Sequence, residues 1–260
     1  MRQPGGPDAI FDDPRLAAVY DDLDPARSDL EAYLALAHEL GARRVLDVGC
    51  GTGTFALLLA DAGIEVTGVD PARASVEVAR RKPGSERVTW WVGDATTLPE
   101  LEVDLATMTA NVAQVFVTDE AWAATLAGIH AALAPGGTLV FETRDPGRRA
   151  WEGWTPERTH QRAEIDGAGV VESSQEVTRV EDGLVSFHHT FVFHADGAVL
   201  PSDSTLRFRS REELDASLTV AGFEVLEVRD APDRPGLEWV YVARTRTDTP
   251  PSSTTSPSRS

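Results

Sequence analysis

A run of apolar residues early in the chain passes directly into a glycine-rich turn. Val45 to Val48 is typical of a buried strand, and Gly49, Gly51 and Gly53 then occupy every second position. Glycines at this spacing let the backbone turn tightly and approach a ligand closely. The apolar segment from Thr54 to Ala62 predicts a helix whose positive N-terminal end faces the same turn. The pattern therefore predicts a strand, a turn and a helix that together cradle a small molecule.

The glycines alone do not decide between nucleotide cofactors, because the turn also fits the G-x-G-x-x-A pattern of dinucleotide sites. Asp47, at the mouth of the turn, would repel a pyrophosphate but can accept hydrogen bonds from an ammonium group. Asp70 ends the next predicted strand, about 20 residues further on, where a carboxylate can hold both hydroxyls of a ribose. Asp94 follows the third predicted strand and can accept a hydrogen bond from the amine of an adenine. This set favours S-adenosylmethionine over NAD.

Each of the three aspartates also has a purely structural interpretation. Asp47 could cap the turn that follows it, and Asp70 could cap the helix after Pro71. Asp94 could close an Asx-turn with Thr96. Capping alone explains less well why all three follow successive predicted strands, so a nucleotide site remains the better interpretation.

Farther along, the segment 134–137 (Ala-Pro-Gly-Gly) ends a predicted helix and opens the strand Thr138 to Glu142. Taken in order, these segments resemble a class I S-adenosylmethionine-dependent methyltransferase over about residues 41–145, with a weaker match over residues 210–244. The resemblance implies S-adenosyl-L-methionine as the cofactor. It also implies a set of cofactor-binding residues: Arg27, Asp47, Gly49, Cys50, Gly51, Gly53, Asp70, Pro71, Asp94, Ala95, Ala110 and Asn111.

The expected fold is a Rossmann-like, doubly wound, mostly parallel seven-stranded α/β sheet with an inserted small antiparallel β-meander, because helix and strand signals alternate along most of the chain. We expect an N-terminal helical cap over residues 1–40, with one helix from Pro14 and a second opened by the capping box Ser28 to Glu31. The cofactor-binding core should then cover residues 41–146 and 210–244. A disordered tail, poor in apolar side chains, is expected over residues 245–260.

Residues 147–209 depart from this pattern. Apolar residues there recur with period two, and Asp182-Gly183 and Asp196-Gly197 are strong hairpin signals. We expect three antiparallel strands, Val171 to Val180, Leu184 to His194 and Ala198 to Phe208. In the middle strand, one face should carry Phe187, His189 and Phe191 and pack against the main domain, line an acceptor pocket or form a dimer contact.

Methyl transfer from a sulfonium asks mainly for positioning and exclusion of water, so no catalytic signature is required and the catalytic residues stay unknown. Ligands of open α/β sheets lie at the carboxyl ends of the strands. The acceptor-site candidates, including a tyrosine that the resemblance places in a helix over the cofactor, are Tyr20, Asn111, Gln114, Glu142, Arg144 and Trp154. For Arg144 and Asp145 a surface ion pair is the alternative, and for Trp151 and Trp154 it is anchoring of the insertion.

The formal net charge of −18 disfavours polynucleotide substrates, since binding to phosphate backbones depends on basic contacts. No apolar run is long enough to span a membrane, and the first eight residues lack the regions of a signal peptide, so we expect a cytoplasmic protein without membrane partners. The strand histidines are too far apart, or on opposite faces, to share a metal ion.

The expected function is therefore methyl transfer to a nitrogen or oxygen of a small-molecule acceptor, by a monomer or homodimer. A non-catalytic S-adenosylmethionine-binding module and, less favoured, an NAD(P)-dependent oxidoreductase remain alternatives.

Overall fold

The computed structural model describes residues 6–24, 27 and 29–246, and within them the chain forms two sheets flanked by helices. The α-helices are α1 (Ala9–Asp12), α2 (Pro14–Leu23), α3 (Asp29–Glu39), α4 (Thr54–Asp61), α5 (Arg73–Arg81), α6 (Asp119–Ala132), α7 (Pro156–Thr159) and α8 (Arg211–Val220). The strands are β1 (Arg44–Val48), β2 (Glu65–Asp70), β3 (Val88–Val92), β4 (Val103–Met108), β5 (Leu133–Arg144), β6 (Gln161–Ile165), β7 (Gly169–Glu181), β8 (Leu184–Phe193), β9 (Ala198–Arg207), β10 (Phe223–Asp230) and β11 (Glu238–Thr245).

The larger sheet has seven strands in the order β10-β11-β5-β4-β1-β2-β3. Strands β1 to β5 run parallel, whereas β11 pairs antiparallel with both β5 and β10. The strand order reverses between β1 and β4, and this is where an open α/β sheet leaves a crevice at the carboxyl ends of its strands. The predicted fold class, including the antiparallel closing pair, is confirmed.

Alternating side chains of the central strands divide the core into two layers. In β1, Leu46 and Val48 point towards the layer under α6 and α8, where Trp122 and Phe141 are also buried. Val45 points to the opposite layer, with α3 and α4. Because both faces of the sheet are covered, the strands are apolar nearly throughout, and a carboxylate at a strand end must be held in place by specific partners.

Several local signals in the sequence correspond to the structure. Ser210 caps α8 through a complete capping box with Glu213. The Asp182-Gly183 hairpin has positive φ at both residues, 50° and 75°, as a tight two-residue turn requires. The capping box at Ser28 and the tail from residue 247 onward lie outside the described residues.

The second sheet contains four strands in the order β6-β7-β8-β9. The sequence predicts only the last three of them, and the first strand, β6, was missed. This strand is only five residues long and mostly exposed, and Gln161 to Ile165 gives a weak apolar pattern. Two short 3-10 turns and α7 precede it from Pro146 onward. The aromatic face of β8 packs against the N-terminal helices: Phe191 and Phe193 lie in one buried cluster with Leu16 and Val19 of α2.

Candidate active site

The three loop glycines serve different purposes. A Cβ at Gly49 would come within 2.5 Å of Val112, and one at Gly53 would clash with Trp90, so these two glycines permit close packing. At Gly51 a Cβ would meet no atom within 4 Å, and the backbone has a φ of +53°. Gly51 therefore opens onto empty space, which is what a ligand-contacting glycine requires.

Asp47 is the second-last residue of β1, beside this loop, and is buried, with an exposed fraction of 2%. Its Oδ1 accepts a hydrogen bond of 2.9 Å from the Thr107 hydroxyl. Burial raises the pKa of Asp47 to about 7, and the negative charge of Asp70 acts in the same direction, while the bond from Thr107 and the charge of Arg27 oppose the rise.

Asp70 and Asp94 make the capping contacts that the alternative interpretation expected. Asp70 accepts from the backbone N–H of Gly51 at 2.9 Å and of Ala72 at 2.7 Å. Asp94 accepts from the N–H of Thr96 at 2.8 Å and from its hydroxyl at 2.6 Å. Burial raises the pKa of Asp70, although its two backbone hydrogen bonds lower it. Both carboxylates also line the cavity above the loop, so the two interpretations coexist at the same side chains.

That cavity has a volume of about 900 Å³ and lies at the carboxyl ends of β1, β2 and β4. Nine of the predicted cofactor-binding residues line it: Arg27, Asp47, Gly49, Cys50, Gly51, Asp70, Pro71, Asp94 and Ala110. Gly53, Ala95 and Asn111 do not line it. Further lining comes from segments that the sequence did not indicate, including Phe11 of α1, Thr205 of β9, and Val115 and Phe116 before α6.

Tyr20 and Arg27, the two residues of the N-terminal region that the sequence indicated, both line this cavity. Arg27 forms a two-point ion pair with Asp29, using Nε at 3.0 Å and Nη2 at 2.9 Å, and Nη1 takes no part in this pair. Tyr20 of α2 packs against Phe11 with ring centroids 5.6 Å apart. Burial raises the pKa of the Tyr20 hydroxyl, so it stays protonated at neutral pH.

Tyr20 also lines a second cavity of about 540 Å³, between α2, the smaller sheet and the start of β11. Two other acceptor candidates, Arg144 and Trp154, are in its wall, with the Arg144 guanidinium 5.5 Å from the Trp154 ring. Because Tyr20 borders both spaces, the two cavities are neighbours in the structure.

The remaining acceptor candidates form a buried polar network beneath the second cavity. Glu142 accepts hydrogen bonds from the Tyr33 hydroxyl and from the Asn111 N–H, the latter at 3.0 Å. The Asn111 amide donates to Glu238 at 3.1 Å, and Gln114 accepts from Arg144 at 3.0 Å. Asn111, Gln114 and Glu142 line neither cavity. Their hydrogen bonds instead fix the positions of Arg144 and Glu238, which do line the second cavity.

The alternative interpretation of Arg144 and Asp145, a surface ion pair with each other, does not match the partners that these two residues have among the described residues. Arg144 instead lies 3.4 Å from Glu238, and Asp145 pairs with Arg148 and accepts from the N–H of Gly147. The two side chains diverge because Arg144 is the last residue of β5, whereas Asp145 caps the 3-10 turn that follows the strand. Trp151 packs on Phe208, with ring centroids 4.6 Å apart, and does not line the second cavity.

Several polar residues in the wall of the second cavity had not been singled out from sequence: Asp24, Arg158, Ser173, Gln175, Arg234 and Glu238. Glu238 is only 2% exposed at the start of β11, and an acid opening an otherwise apolar strand was a usable signal. Ser173 and Gln175 share a face of β7, which the period-two pattern also implied.

Comparison with known proteins adds to this geometry. Residues 45–137 match a family model described as "Methyltransferase domain". The chain carries a methyltransferase domain. The sequence is 35% identical over 118 residues to a "Cypemycin N-terminal methyltransferase" from Streptomyces sp, covering 45% of this chain and 48% of that protein. The match thus spans about half the length of that curated relative.

Solved structures resemble nearly the whole chain. A structure of "SAM bound CalS10, an amino pentose methyltransferase" from Micromonospora echinaspora superimposes with a TM-score of 0.66 at 26% identity, covering 88% of this chain and 97% of that one. An S-adenosylmethionine-dependent methyltransferase from Clostridium acetobutylicum has a TM-score of 0.71 at 18% identity, covering 90% and 98% of the two chains, and supports the fold alone. The family model and the relatives at 35% and 26% identity confirm the predicted class I S-adenosylmethionine-dependent methyltransferase and the enzyme class.

Within residues 6–24, 27 and 29–246, no helix has the length and apolar character needed to cross a bilayer.

Proposed function

We propose that this protein transfers a methyl group from S-adenosylmethionine to a nitrogen of a sugar-sized small molecule, with an oxygen acceptor as the alternative. The observation that carries the proposal is a pair of neighbouring cavities that share Tyr20 in their walls. One is lined by the open glycine, Gly51, and by Asp47, Asp70 and Asp94 among its carboxylates. The other has polar and aromatic walls and a size suited to one small acceptor. The chemistry needs this arrangement, because donor and acceptor must meet in line.

The residues of the first cavity fit S-adenosylmethionine part by part. Asp47 would hold the ammonium group, Asp70 the ribose hydroxyls and Asp94 the adenine amine, while Arg27 would pair with the carboxylate through Nη1. The space above Gly51 leaves room for the methionine backbone. When bound, the cofactor supplies a methyl carbon that the acceptor lone pair attacks while the electrons of the C–S bond return to sulfur.

The second cavity supplies orientation rather than strong acid or base chemistry. Trp154 offers an aromatic face, and Glu238 is held by Arg144, Arg234 and Asn111 in the floor. An acceptor amine must arrive with a free lone pair and loses its proton to solvent after the transfer. Nitrogen is favoured because the relatives at 35% and 26% identity are named as an N-terminal and an amino pentose methyltransferase.

We also propose that polynucleotides are not acceptors, because a chain with a net charge of −18 repels phosphate backbones. For the oligomeric state, we retain a monomer or homodimer as the proposal.

The test combines binding and transfer. Calorimetry should show S-adenosylhomocysteine binding at micromolar concentration, while NAD gives no heat. With a donor labelled in the methyl group, methyl glycosides of amino pentoses and amino hexoses should take up label, and their hydroxyl counterparts should not. Tight NAD binding would overturn the cofactor assignment. Strong S-adenosylhomocysteine binding without transfer to any amine or hydroxyl would instead favour a non-catalytic binding module.

A further inference from the structure

The inner face of the smaller sheet forms one wall of the second cavity. Strand pairing places Gln175 opposite His189, and Ser173 lies between Gln161 and Phe191 in the next row. All five side chains line the cavity. The sheet therefore presents to the acceptor an ordered array of neutral hydrogen-bonding groups beside an aromatic ring.

This wall is fixed in position by backbone contacts. The Thr159 hydroxyl accepts a hydrogen bond of 3.0 Å from the Gln175 N–H, and its single proton is shared between the carbonyls of Thr155, at 2.7 Å, and Gln175, at 3.1 Å. The N–H of Val177 also donates to the Trp154 carbonyl at 3.3 Å. Strand β6 ends before it reaches this part of β7, and these bonds pair the backbone groups of Gln175 and Val177 that β6 leaves without a partner. The pair Gln175 and His189 is thereby fixed in position relative to Trp154.

His189 differs from its neighbour on the same strand. The His188 ring, on the outer face, lies 2.7 Å from the Asp203 carboxylate. The His189 ring packs on Phe191, with centroids 4.5 Å apart, and in the described part of the chain it has no hydrogen-bond or ion-pair partner. A half-buried imidazole without a polar partner has lost some of its hydrogen bonds to water, and a bound ligand can supply a hydrogen bond in their place.

The ring is neutral at physiological pH. Burial lowers the pKa of His189 to about 4, and the nearby His188 lowers it further by charge repulsion. A neutral imidazole has one ring nitrogen that accepts a hydrogen bond, which the guanidinium groups of Arg144, Arg158 and Arg234 in the same cavity cannot do. Glu238 is already engaged by its own partners.

We propose that His189 binds the acceptor directly, by accepting a hydrogen bond from an amine or hydroxyl of the acceptor molecule, with Gln175 as its neighbour on the same wall. The proposal rests on the proposed function and adds a specificity-determining residue from the inserted sheet. His189 orients the acceptor and takes no proton from it.

The experiment compares His189→Phe with His188→Phe, using the methyl glycosides of amino pentoses and amino hexoses as probes. Phenylalanine keeps the ring packing but removes the acceptor nitrogen. His189→Phe should raise KM for the best probe about tenfold or more, as loss of one hydrogen bond in a shielded site implies. Affinity for S-adenosylhomocysteine should stay within twofold. His188→Phe should change neither constant, and His189→Gln, which restores an acceptor oxygen, should recover part of the loss.

The outcomes separate the two levels of the proposal. Wild-type protein that binds S-adenosylhomocysteine but methylates no probe contradicts the acceptor class and this inference with it. Wild-type activity that His189→Phe retains in full contradicts the role of His189 alone. Should His189→Phe fail to fold, as seen by melting, His189→Leu replaces it as the variant without an acceptor atom. A KM in His189→Leu equal to that in His188→Phe then overturns the proposal, and a much higher one supports it.

Discussion

At the scale of single residues, Asp47 is the carboxylate whose ionisation matters most for the cofactor. It is buried between Thr107 and the glycine loop, and burial raises its pKa to about 7. The free protein therefore holds a mixture of neutral and charged Asp47 near neutral pH. Only the charged form attracts the ammonium group that we propose it binds.

We predict that affinity for S-adenosylhomocysteine increases as the pH rises from 6 to 8, with each unit below the pKa of Asp47, which is about 7, weakening binding about tenfold. Asp47→Asn should bind weakly at every pH and remove this slope. Calorimetry across the pH series measures both. A slope that persists in Asp47→Asn would assign the titration to another group.

The same shift affects stability with a definite sign. The pKa of Asp47 in the folded protein lies above its ordinary value of 3.8, so the folded state binds more protons between these two values. Asp47 therefore contributes most to stability below 3.8, and the contribution is lost as the pH rises through about 7. Melting of the ligand-free Asp47→Asn variant should show a flatter dependence on pH over this window than melting of the wild type.

Residue chemistry was the part of the site most accessible from sequence. Asp47, Asp70 and Asp94 all line one cavity because the carboxyl ends of parallel strands meet at one edge of the sheet. The partners of Asn111 and Glu142 were not accessible, since they come from Tyr33 and Glu238, far away in the chain. Spacing along a sequence does not report such long-range hydrogen bonds.

At the scale of elements, the glycine loop and the inserted segment line different cavities. The loop after β1 borders the first cavity, and Trp154 borders the second. Substitutions in the two elements should therefore have different kinetic signatures.

Gly51→Val should abolish cofactor binding, because its side chain would enter the open space of the first cavity. Gly63→Val is a matched control: Gly63 also has a positive φ, +83°, and a Cβ there would meet no atom within 4 Å, but it follows α4 and does not line the cavity. Both variants carry the backbone strain of about 1–2 kcal/mol. Equal loss of S-adenosylhomocysteine binding in the two variants would attribute the effect to strain rather than to obstruction.

Trp154→Ala should raise KM for the acceptor or lower kcat, while affinity for S-adenosylhomocysteine stays close to that of the wild type. The ring contacts Phe187 at 5.0 Å between centroids, and the Arg144 guanidinium lies over it. Trp151→Ala is the control, since Trp151 packs on Phe208 outside the second cavity. Steady-state kinetics with the amino glycosides measures both variants, and identical defects would mean that the insertion acts only through its packing.

The elements also show where sequence patterns lose information. Helices and strands that bury many apolar side chains, such as α4 and β1, were predicted within a few residues of their bounds. The short edge strand β6 was missed because few of its side chains are buried, and burial is what produces a periodic pattern. The packing of β8 against α2 was missed as well, since both faces were apolar in sequence but their pairing depends on the whole fold.

At the scale of the whole molecule, α2 connects the two sheets across the first cavity. On one side, Arg15 forms a two-point ion pair with Asp196 of the smaller sheet and lies over the Phe193 ring. On the other side, Asp21 accepts from the Thr52 hydroxyl of the glycine loop at 2.6 Å and pairs with Lys82. Helix α2 also lines the first cavity through Tyr20, so we expect its position to affect how fast a ligand leaves that cavity.

Lys82, the single lysine of the chain, makes the connection between α2 and the end of α5. Its ammonium contacts Asp21 and also donates to the Thr54 hydroxyl at 3.1 Å. Both charged side chains are partly shielded from solvent, with exposed fractions of 24% and 39%. The pair is consequently less screened than an ordinary surface ion pair, although it contributes only modestly to overall stability.

We predict that Lys82→Met increases the dissociation rate of S-adenosylhomocysteine several-fold, because Asp21 loses its cationic partner and α2 opens more often. The association rate should change little, since the binding groups of the first cavity are untouched. Arg81→Met is the control: Arg81 is well exposed and has only a 3.7 Å ion pair with Glu77 on its own helix. Surface plasmon resonance of the immobilised protein measures both rates. A dissociation rate in Lys82→Met equal to that in Arg81→Met would mean that the contact between Lys82 and Asp21 does not hold α2 closed, and the hydrophobic packing of α2 on the smaller sheet would then be the element that covers the cofactor.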